Sequence, residues 1–354
     1  MSVVTTPGWH FQNDEKKKPT LMYYIPKNPI LTHKIAGFDF VNTLIWSDRG
    51  DYTVRGAENW VWRSETLPEF ISELMTDEEP WTVAIFSNYI SKNFEELQYR
   101  VETVQKDIQA HDVFFFASLM SDYNQKPRIG MWKAFVNIWE SLSGETLIPD
   151  KNSFYIGDRA GDPSAEDPMF RKGKVELDKY DSILLQPPLG DDSLFAARIG
   201  LNFVLPSDLP GQPEPTFPQE QELIIMVGQQ GSGKTTWALR IVQEHTYALV
   251  ASEETPSAYV VKDKKRRFRM IEQLLEGGES VIVDATHPSR ASRQELIMLA
   301  QKYNVPVRIF WVSRPGRPYN ETREKPVSEI ALRIYTKNFE RPSKDEGVKV
   351  VRLV

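Results

Sequence analysis

Short apolar runs alternate along most of the chain with stretches whose apolar positions recur at helical spacing. Ile35-Ala36-Gly37-Phe38 and residues 81–86, 112–116 and 153–156 predict strands of a first domain. Residues 223–227, 281–283 and 307–312 predict strands of a second. Strand runs that alternate with helical stretches point to α/β architecture with parallel sheets, and active sites are then expected at the carboxyl ends of the strands. Residues 206–218 hold five prolines without apolar periodicity. Such a stretch predicts a stiff extended linker. The chain therefore divides into a domain over 1–205, a linker over 206–220 and a domain over 221–354.

The run Leu223-Ile224-Ile225-Met226-Val227 leads into Gly228-Gln229-Gln230-Gly231-Ser232-Gly233-Lys234-Thr235, and Thr236 opens a helical stretch. The octet fits G-x-x-x-x-G-K-[ST] at every fixed position, and a strand before with a helix after is the context that gives the pattern meaning. Glycines let backbone N–H groups curl around phosphates, and the helix N-terminus adds its positive dipole end. Gly228, Gly231, Ser232, Gly233, Lys234, Thr235 and Thr236 are the candidate ATP-phosphate residues, with Lys234 reaching the outer phosphates and the Thr235 hydroxyl joining a Mg²⁺ shell.

Composition changes this picture little. Of 354 residues, 40% are hydrophobic and 26% charged, as in an ordinary globular chain of about two domains. No apolar run reaches the ~18 residues of a membrane span, and residues 12–18 are too polar for a signal-peptide core. There are no cysteines, which excludes disulfides and thiolate zinc sites. Charge is uneven. From Gln221 onward 22 basic residues stand against 16 acidic ones; before it, 21 stand against 33. The second domain suits a polyanion and the first relies on local patches, with an ordinary solvated surface as the bland alternative.

A second set of residues occupies strand ends and loops of the first domain. Asp39 follows its strand and precedes Asn42 and Thr43; Ser87-Asn88 ends the next strong strand. Lys126-Pro127 lies ahead of a helical stretch, and Gly157-Asp158, with Asp162 four residues on, follows residues 153–156. In this order they resemble the four-part signature of haloacid-dehalogenase-like phosphotransferases. There the Asp carboxylate attacks phosphorus, Ser and Lys hold phosphoryl oxygens and further carboxylates bind Mg²⁺.

Taken whole, the chain resembles the polynucleotide kinase/3′-phosphatases of the animal type, from about Trp9 to the end. The resemblance is carried by Ala36-Gly37-Phe38-Asp39, Ile85-Phe86-Ser87-Asn88, Lys126-Pro127 with Gly130-Met131-Trp132, Gly157-Asp158-Arg159-Ala160-Gly161 and Leu194-Phe195-Ala196. In the second half it is carried by the phosphate loop, Asp284 with Thr286 and Pro288, Asn304-Val305-Pro306, Arg323-Glu324 and Phe339-Glu340-Arg341-Pro342. It implies an α/β fold of two domains: a haloacid-dehalogenase-like Rossmannoid phosphatase followed by a P-loop kinase, both with mainly parallel sheets. No forkhead-associated module is recognised ahead of the motifs.

The implied kinase moves the ATP γ-phosphate to a 5′-hydroxyl on a nucleic acid end, DNA first and RNA as the alternative, in end repair. The implied setting is nuclear and monomeric, with no membrane. Asp263 is the candidate base, with a helix N-cap as the other reading. Asp284 is assigned to substrate or the Mg²⁺ shell; Arg317 and Arg323 lie where these kinases fold a lid over ATP, with Arg323 the better placed for the β- and γ-phosphates. Arg293 is assigned to the substrate or nucleotide site. The cluster Lys264 to Arg267 with Arg269 is either a phosphate-tracking patch or a solvated helix face. Trp132 is a core residue or a stacking platform. On the phosphatase side, Asp39 is nucleophile and metal ligand with Asp158 and Asp162, while Thr43, Ser87, Asn88 and Lys126 hold substrate.

One departure stands out. The family's first phosphatase motif is D-x-D-G-T, and here it reads Asp39-Phe40-Val41-Asn42-Thr43. Valine cannot protonate a leaving alkoxide or activate water, so weakened phosphatase activity is expected, or a first domain that only binds strand ends. A small-molecule kinase fused to a phosphatase is the remaining alternative, since both folds serve such substrates.

Overall fold

The computed structural model describes every residue except 1–3, 52, 90–92, 110–111, 160–190, 210, 212–213, 254, 317–319, 321–325 and 354. In the first half the order is β1 (Gly8–Asn13), β2 (Pro19–Ile25), β3 (Ile35–Phe38), β4 (Ile45–Ser47), β5 (Trp60–Trp62), α1 (Leu67–Thr76), β6 (Thr82–Asn88), α2 (Phe94–Asp107), β7 (Phe114–Ser118), α3 (Gly130–Ser143), β8 (Phe154–Ile156), α4 (Asp191–Ile199) and β9 (Asn202–Val204). The second half runs β10 (Leu223–Val227), α5 (Lys234–Glu244), β11 (Ala248–Ala251), β12 (Tyr259–Val260), α6 (Lys264–Glu276), β13 (Val281–Asp284), α7 (Arg290–Lys302), β14 (Val307–Val312), α8 (Glu329–Asn338) and β15 (Lys349–Leu353).

Two mainly parallel sheets result, as the apolar runs predict. The first has strand order β1-β2-β7-β6-β3-β8-β9. β7, β6, β3, β8 and β9 pair parallel, and only β1 and β2 add antiparallel pairs at one edge. β3 and β6 are buried along nearly their whole length, which is why they read as apolar runs rather than alternating ones. Phe86, Phe116, Phe135, Trp139 and Phe195 fill the core beside this sheet. Trp132 belongs to the same cluster at 8% exposure, so the core reading of that residue holds.

The second sheet, β12-β11-β13-β10-β14-β15, is parallel in every pairing. β10 sits between β13 and β14, burying all five of its residues and bringing its carboxyl end to the middle of the sheet edge. Two of its helices start on serine side-chain caps: Ser289 accepts from Ser292 N ahead of α7, and Ser328 from Ala331 N ahead of α8.

Contacts along the chain define two compact units. One comprises 1–45, 56–58 and 64–211; the other comprises 46–55, 59–63 and 212–354. The β4–β5 turn region thus packs with the C-terminal unit although its sequence lies within the first half. Within the proline-rich stretch several described residues make contacts of their own. Leu209 is buried, the Thr216 carbonyl accepts from Arg308 Nη1 at 2.7 Å, and Phe217 packs against Phe310. No helix among the described residues is long and apolar enough to cross a membrane.

Candidate active sites

Because β6, β3 and β8 are parallel neighbours, their carboxyl ends open on one edge, and the candidate residues of the N-terminal unit gather there. Asp39 follows β3 directly and its N–H is tied to the Ile156 carbonyl of β8 at 2.7 Å. Ser87 lies near the end of β6 and is buried. The chain after Asp39 makes a tight turn in which Leu44 and Ile45 N–H groups both donate to the Phe40 carbonyl. Asn42, at φ 69, takes the left-handed conformation that its family counterpart glycine adopts freely; asparagine is among the residues that tolerate it. The Thr43 hydroxyl donates to Asp39 Oδ2 at 3.4 Å.

Lys126 is the centre of this site. Its ammonium, 3% exposed, donates to Asp39 Oδ1, to Asp192 Oδ1 at 2.6 Å and to the Tyr155 hydroxyl at 2.9 Å. Burial works against its charge, but Asp192 and Asp39 more than offset that and push it up to about 12. Burial pushes the Asp39 carboxyl up to about 7; Lys126 pulls it down, while Asp192 and Asp158 push it up again. Such crowding of carboxylates is what a divalent cation relieves. Asp39, Asp158 and Asp192 each offer a carboxylate oxygen, all within 4.8 Å of one another, an all-oxygen set suited to Mg²⁺.

Asp192, 1% exposed in the first turn of α4, is a site residue that the sequence reading missed. The glycine before Asp158 admits it: a Cβ on Gly157 would lie 2.4 Å from the Asp192 Cβ. Asp162 lies outside the described residues. Asn88 is placed differently from expectation. Its side chain accepts from Lys126 N at 2.8 Å and donates to Lys126 O at 3.2 Å, so it fixes the lysine's backbone rather than facing substrate.

In the C-terminal unit the phosphate loop joins β10 to α5 with positive φ at Gly228, Gly231 and Gly233. A cleft of about 500 Å³ is lined by Gly231, Gly233, Lys234, Thr235 and Thr236 together with Asp284 and Thr286. The Thr235 hydroxyl donates to Asp284 Oδ2 at 2.6 Å, so the two residues assigned above to a Mg²⁺ shell stand side by side. Lys234 Nζ donates to the Gln229 carbonyl at 2.8 Å. Ser232 Oγ and Gln230 Oε1 are buried without a hydrogen-bond partner among the described residues.

Two expectations change here, and two concern residues outside those described. Asp263 is the exposed N-cap of α6, its Oδ1 accepting from Arg266 N at 2.8 Å, and it does not line the cleft. A carboxylate that does, besides Asp284, is Glu253, just past the carboxyl end of β11, facing the same cleft as Arg267. Arg293 is not a ligand-facing residue either. It is fully buried, pairs through two nitrogens with Glu346 at 2.7 and 2.8 Å, and donates to the His287 and Pro288 carbonyls. It thereby holds the chain after β13 in shape. Arg317 and Arg323 lie outside the described residues.

His287 carries a pH prediction. Burial pushes its imidazole down from 6.5 to about 4, and Arg267, Lys234 and Arg293 add to the cost of a positive charge there. Nδ1 lies 2.8 Å from the Met226 carbonyl. The unfolded chain then binds this proton more readily than the fold between pH 6.5 and 4, so stability falls as pH drops through that window, by about 3 kcal/mol in full. The denaturant midpoints of the parent and of His287→Asn, compared at each pH from 7 to 4, should diverge by this loss, which the substitution removes and which the difference separates from the opposite contribution of Asp39.

Residues 34–209 match the family model described as polynucleotide kinase 3 phosphatase, and residues 223–342 match one described as AAA domain. A bifunctional polynucleotide phosphatase/kinase of Schizosaccharomyces pombe is 22% identical over 89% of this chain and 78% of its own length. A putative bifunctional polynucleotide phosphatase/kinase of Acanthamoeba polyphaga mimivirus is 24% identical over 91% of this chain and 84% of its own. Among solved structures, Chaetomium thermophilum Kti12 in complex with ADP-AlF3 is 18% identical over 37% of this chain and 88% of its own, at a TM-score of 0.30.

Proposed function

We infer, from a chain that joins a polynucleotide kinase 3 phosphatase domain to an AAA domain, that it processes nucleic acid ends, phosphorylating 5′-hydroxyls and dephosphorylating 3′-phosphates. The domain order gives a phosphatase followed by a kinase. The observation that carries the kinase reading is the cleft in which Lys234, Thr235 and Asp284 converge at the end of β10. ATP is the phosphate donor, with its phosphates on the loop amides and Lys234. Thr235 and Asp284 hold Mg²⁺, which supplies charge neutralisation to the transferring group. DNA ends are the preferred substrate in this reading, in nuclear end repair.

A base must stand near the incoming hydroxyl, and the cleft offers Glu253 for it rather than Asp263. In the N-terminal unit Asp39 attacks the 3′-phosphate while Lys126 and Ser87 hold its oxygens; the bond from phosphorus to O3′ breaks, the leaving O3′ takes up a proton, and water then hydrolyses the aspartyl phosphate to inorganic phosphate. Asp158 and Asp192 would hold Mg²⁺ together with Asp39. The acid–base position belongs to Val41, so this half reaction is slow.

The base assignment is tested by two substitutions. Glu253→Gln should lower 5′-kinase turnover by roughly 10² or more. Asp263→Asn should leave it near the parent level, because asparagine caps a helix as well as aspartate does. Steady-state rates on a 5′-hydroxyl oligonucleotide decide it: the opposite ranking would return the role to Asp263.

A further inference from the structure

Residues 46–55 and 59–63 lie inside the stretch matched to the phosphatase family, yet they pack as part of the C-terminal unit. Trp46 and Val61 are buried among Leu223, Ile225 and Val227 of β10 and Trp311 of β14. The Arg63 guanidinium lies 4.9 Å over the Trp46 ring. Arg352 of β15 donates to the Trp62 carbonyl and, at 3.3 Å, to that of Arg63. These contacts anchor the hairpin and fix the turn at its start, where Gly50 N donates to Ser47 O at 3.2 Å.

That turn lies against the phosphate loop. Gly50 has φ +78, and a Cβ added to it would meet Gln229 Cβ at 2.9 Å and Gln229 Oε1 at 3.2 Å. Only glycine combines this backbone conformation with so close an approach. Gln229 is 1% exposed, and its Nε2 donates to Thr336 Oγ1 of α8 at 3.4 Å. Thr336 Oγ1 in turn donates to Asp51 Oδ1 at 3.3 Å. The backbone of the same glutamine bears on catalysis directly, because its carbonyl accepts from Lys234 Nζ and, at 3.1 Å, from Ser232 N.

We propose that Gly50 and Asp51 are positioning residues of the kinase: the turn clamps the Gln229 side chain and so sets the phosphate-loop carbonyl on which Lys234 rests. The proposal builds on the kinase reading above. Neither residue touches the nucleotide; both act through Gln229, with Thr336 as the link from Asp51. The kinase unit is therefore not complete from the proline-rich stretch onward, since its nucleotide loop is held by residues encoded between Asp39 and Ser87.

The test uses the full chain, with ATP affinity from titration of a fluorescent ATP analogue and kinetics on a 5′-hydroxyl oligonucleotide. Gly50→Val should raise the KM for ATP roughly tenfold or more, because small displacements of a catalytic group are costly. Asp51→Leu and Thr336→Val should raise it severalfold, the usual worth of one hydrogen bond. Asp51→Asn keeps the acceptor oxygen and should stay near the parent value. Phosphatase turnover should be unchanged in all four, and a parent-like thermal melting profile of the full chain reports an intact fold; if Gly50→Val fails to fold, the Asp51 and Thr336 variants decide. Parent-like KM in Asp51→Leu and Thr336→Val, or equal losses in Asp51→Leu and Asp51→Asn, would overturn the proposal. A parent protein that bound no ATP would overturn the kinase reading and this proposal with it.

Discussion

Lys234→Ala is expected to lower 5′-kinase turnover by roughly 10³ or more while phosphatase turnover stays at the parent level. The lysine is 7% exposed, opens α5 and lines the cleft beside Thr235 and Asp284. A cation in the first turn of a helix opposes the helix dipole, and alanine is the better helix former. Its place there is therefore unfavourable for the fold and needs a negative ligand to explain it. Removing one positioned cation or donor from a transferring phosphoryl group costs on the order of 10² to 10⁵ in rate. Thermal stability should be unchanged or slightly raised. Turnover of the variant on a 5′-hydroxyl oligonucleotide within tenfold of the parent would remove the nucleotide-site assignment.

Val41→Asp is expected to do the reverse to the other half reaction, raising 3′-phosphate removal by roughly 10² to 10⁴, the usual worth of a positioned acid–base group. The rest of the site is in place: Asp39, Thr43, Lys126, Asp158 and Asp192 converge, and Lys126 alone binds two carboxylates and a phenol. Val41 is half-buried, two residues past Asp39 in the turn that closes on Phe40. An aspartate there has the sequence spacing of the family's acid. Phosphate release from a 3′-phosphorylated oligonucleotide is the measurement, with kinase turnover as the unchanged control. No gain would place the defect elsewhere, with Asn42 the next residue to replace. A parent already as fast on 3′-phosphates as on 5′-hydroxyls would mean that another carboxylate serves as acid.

What the sequence revealed follows the range of the interactions involved. The phosphate loop was legible in full because a strand, glycines and a helix start are local features. The buried strands β3, β6, β10 and β14 were legible as apolar runs. Asp192 was not, because an acid in the first turn of a helix looks like an ordinary dipole partner. Only the parallel β3–β8 pairing and the small Gly157 bring it to Asp39. Glu253 was hidden behind β11, a four-residue strand too short to stand out. Asp263 drew the assignment through its place after the phosphate-loop helix, where the resemblance puts the base, whereas its carboxylate caps α6. Arg293 owes its burial to Glu346, 53 residues further on, a partner that no local pattern announces. The same holds for Trp46 and Val61, whose core lies in the far half of the chain.

The central claim is transfer of phosphate to nucleic acid ends, and one experiment addresses it most directly. The protein is incubated with Mg²⁺ and ATP labelled at the γ-phosphate, together with a 5′-hydroxyl oligonucleotide and an equal concentration of free nucleosides and small sugar alcohols. The account predicts label at the oligonucleotide 5′ end in strong preference to the small molecules. Label on the small molecules alone would contradict it.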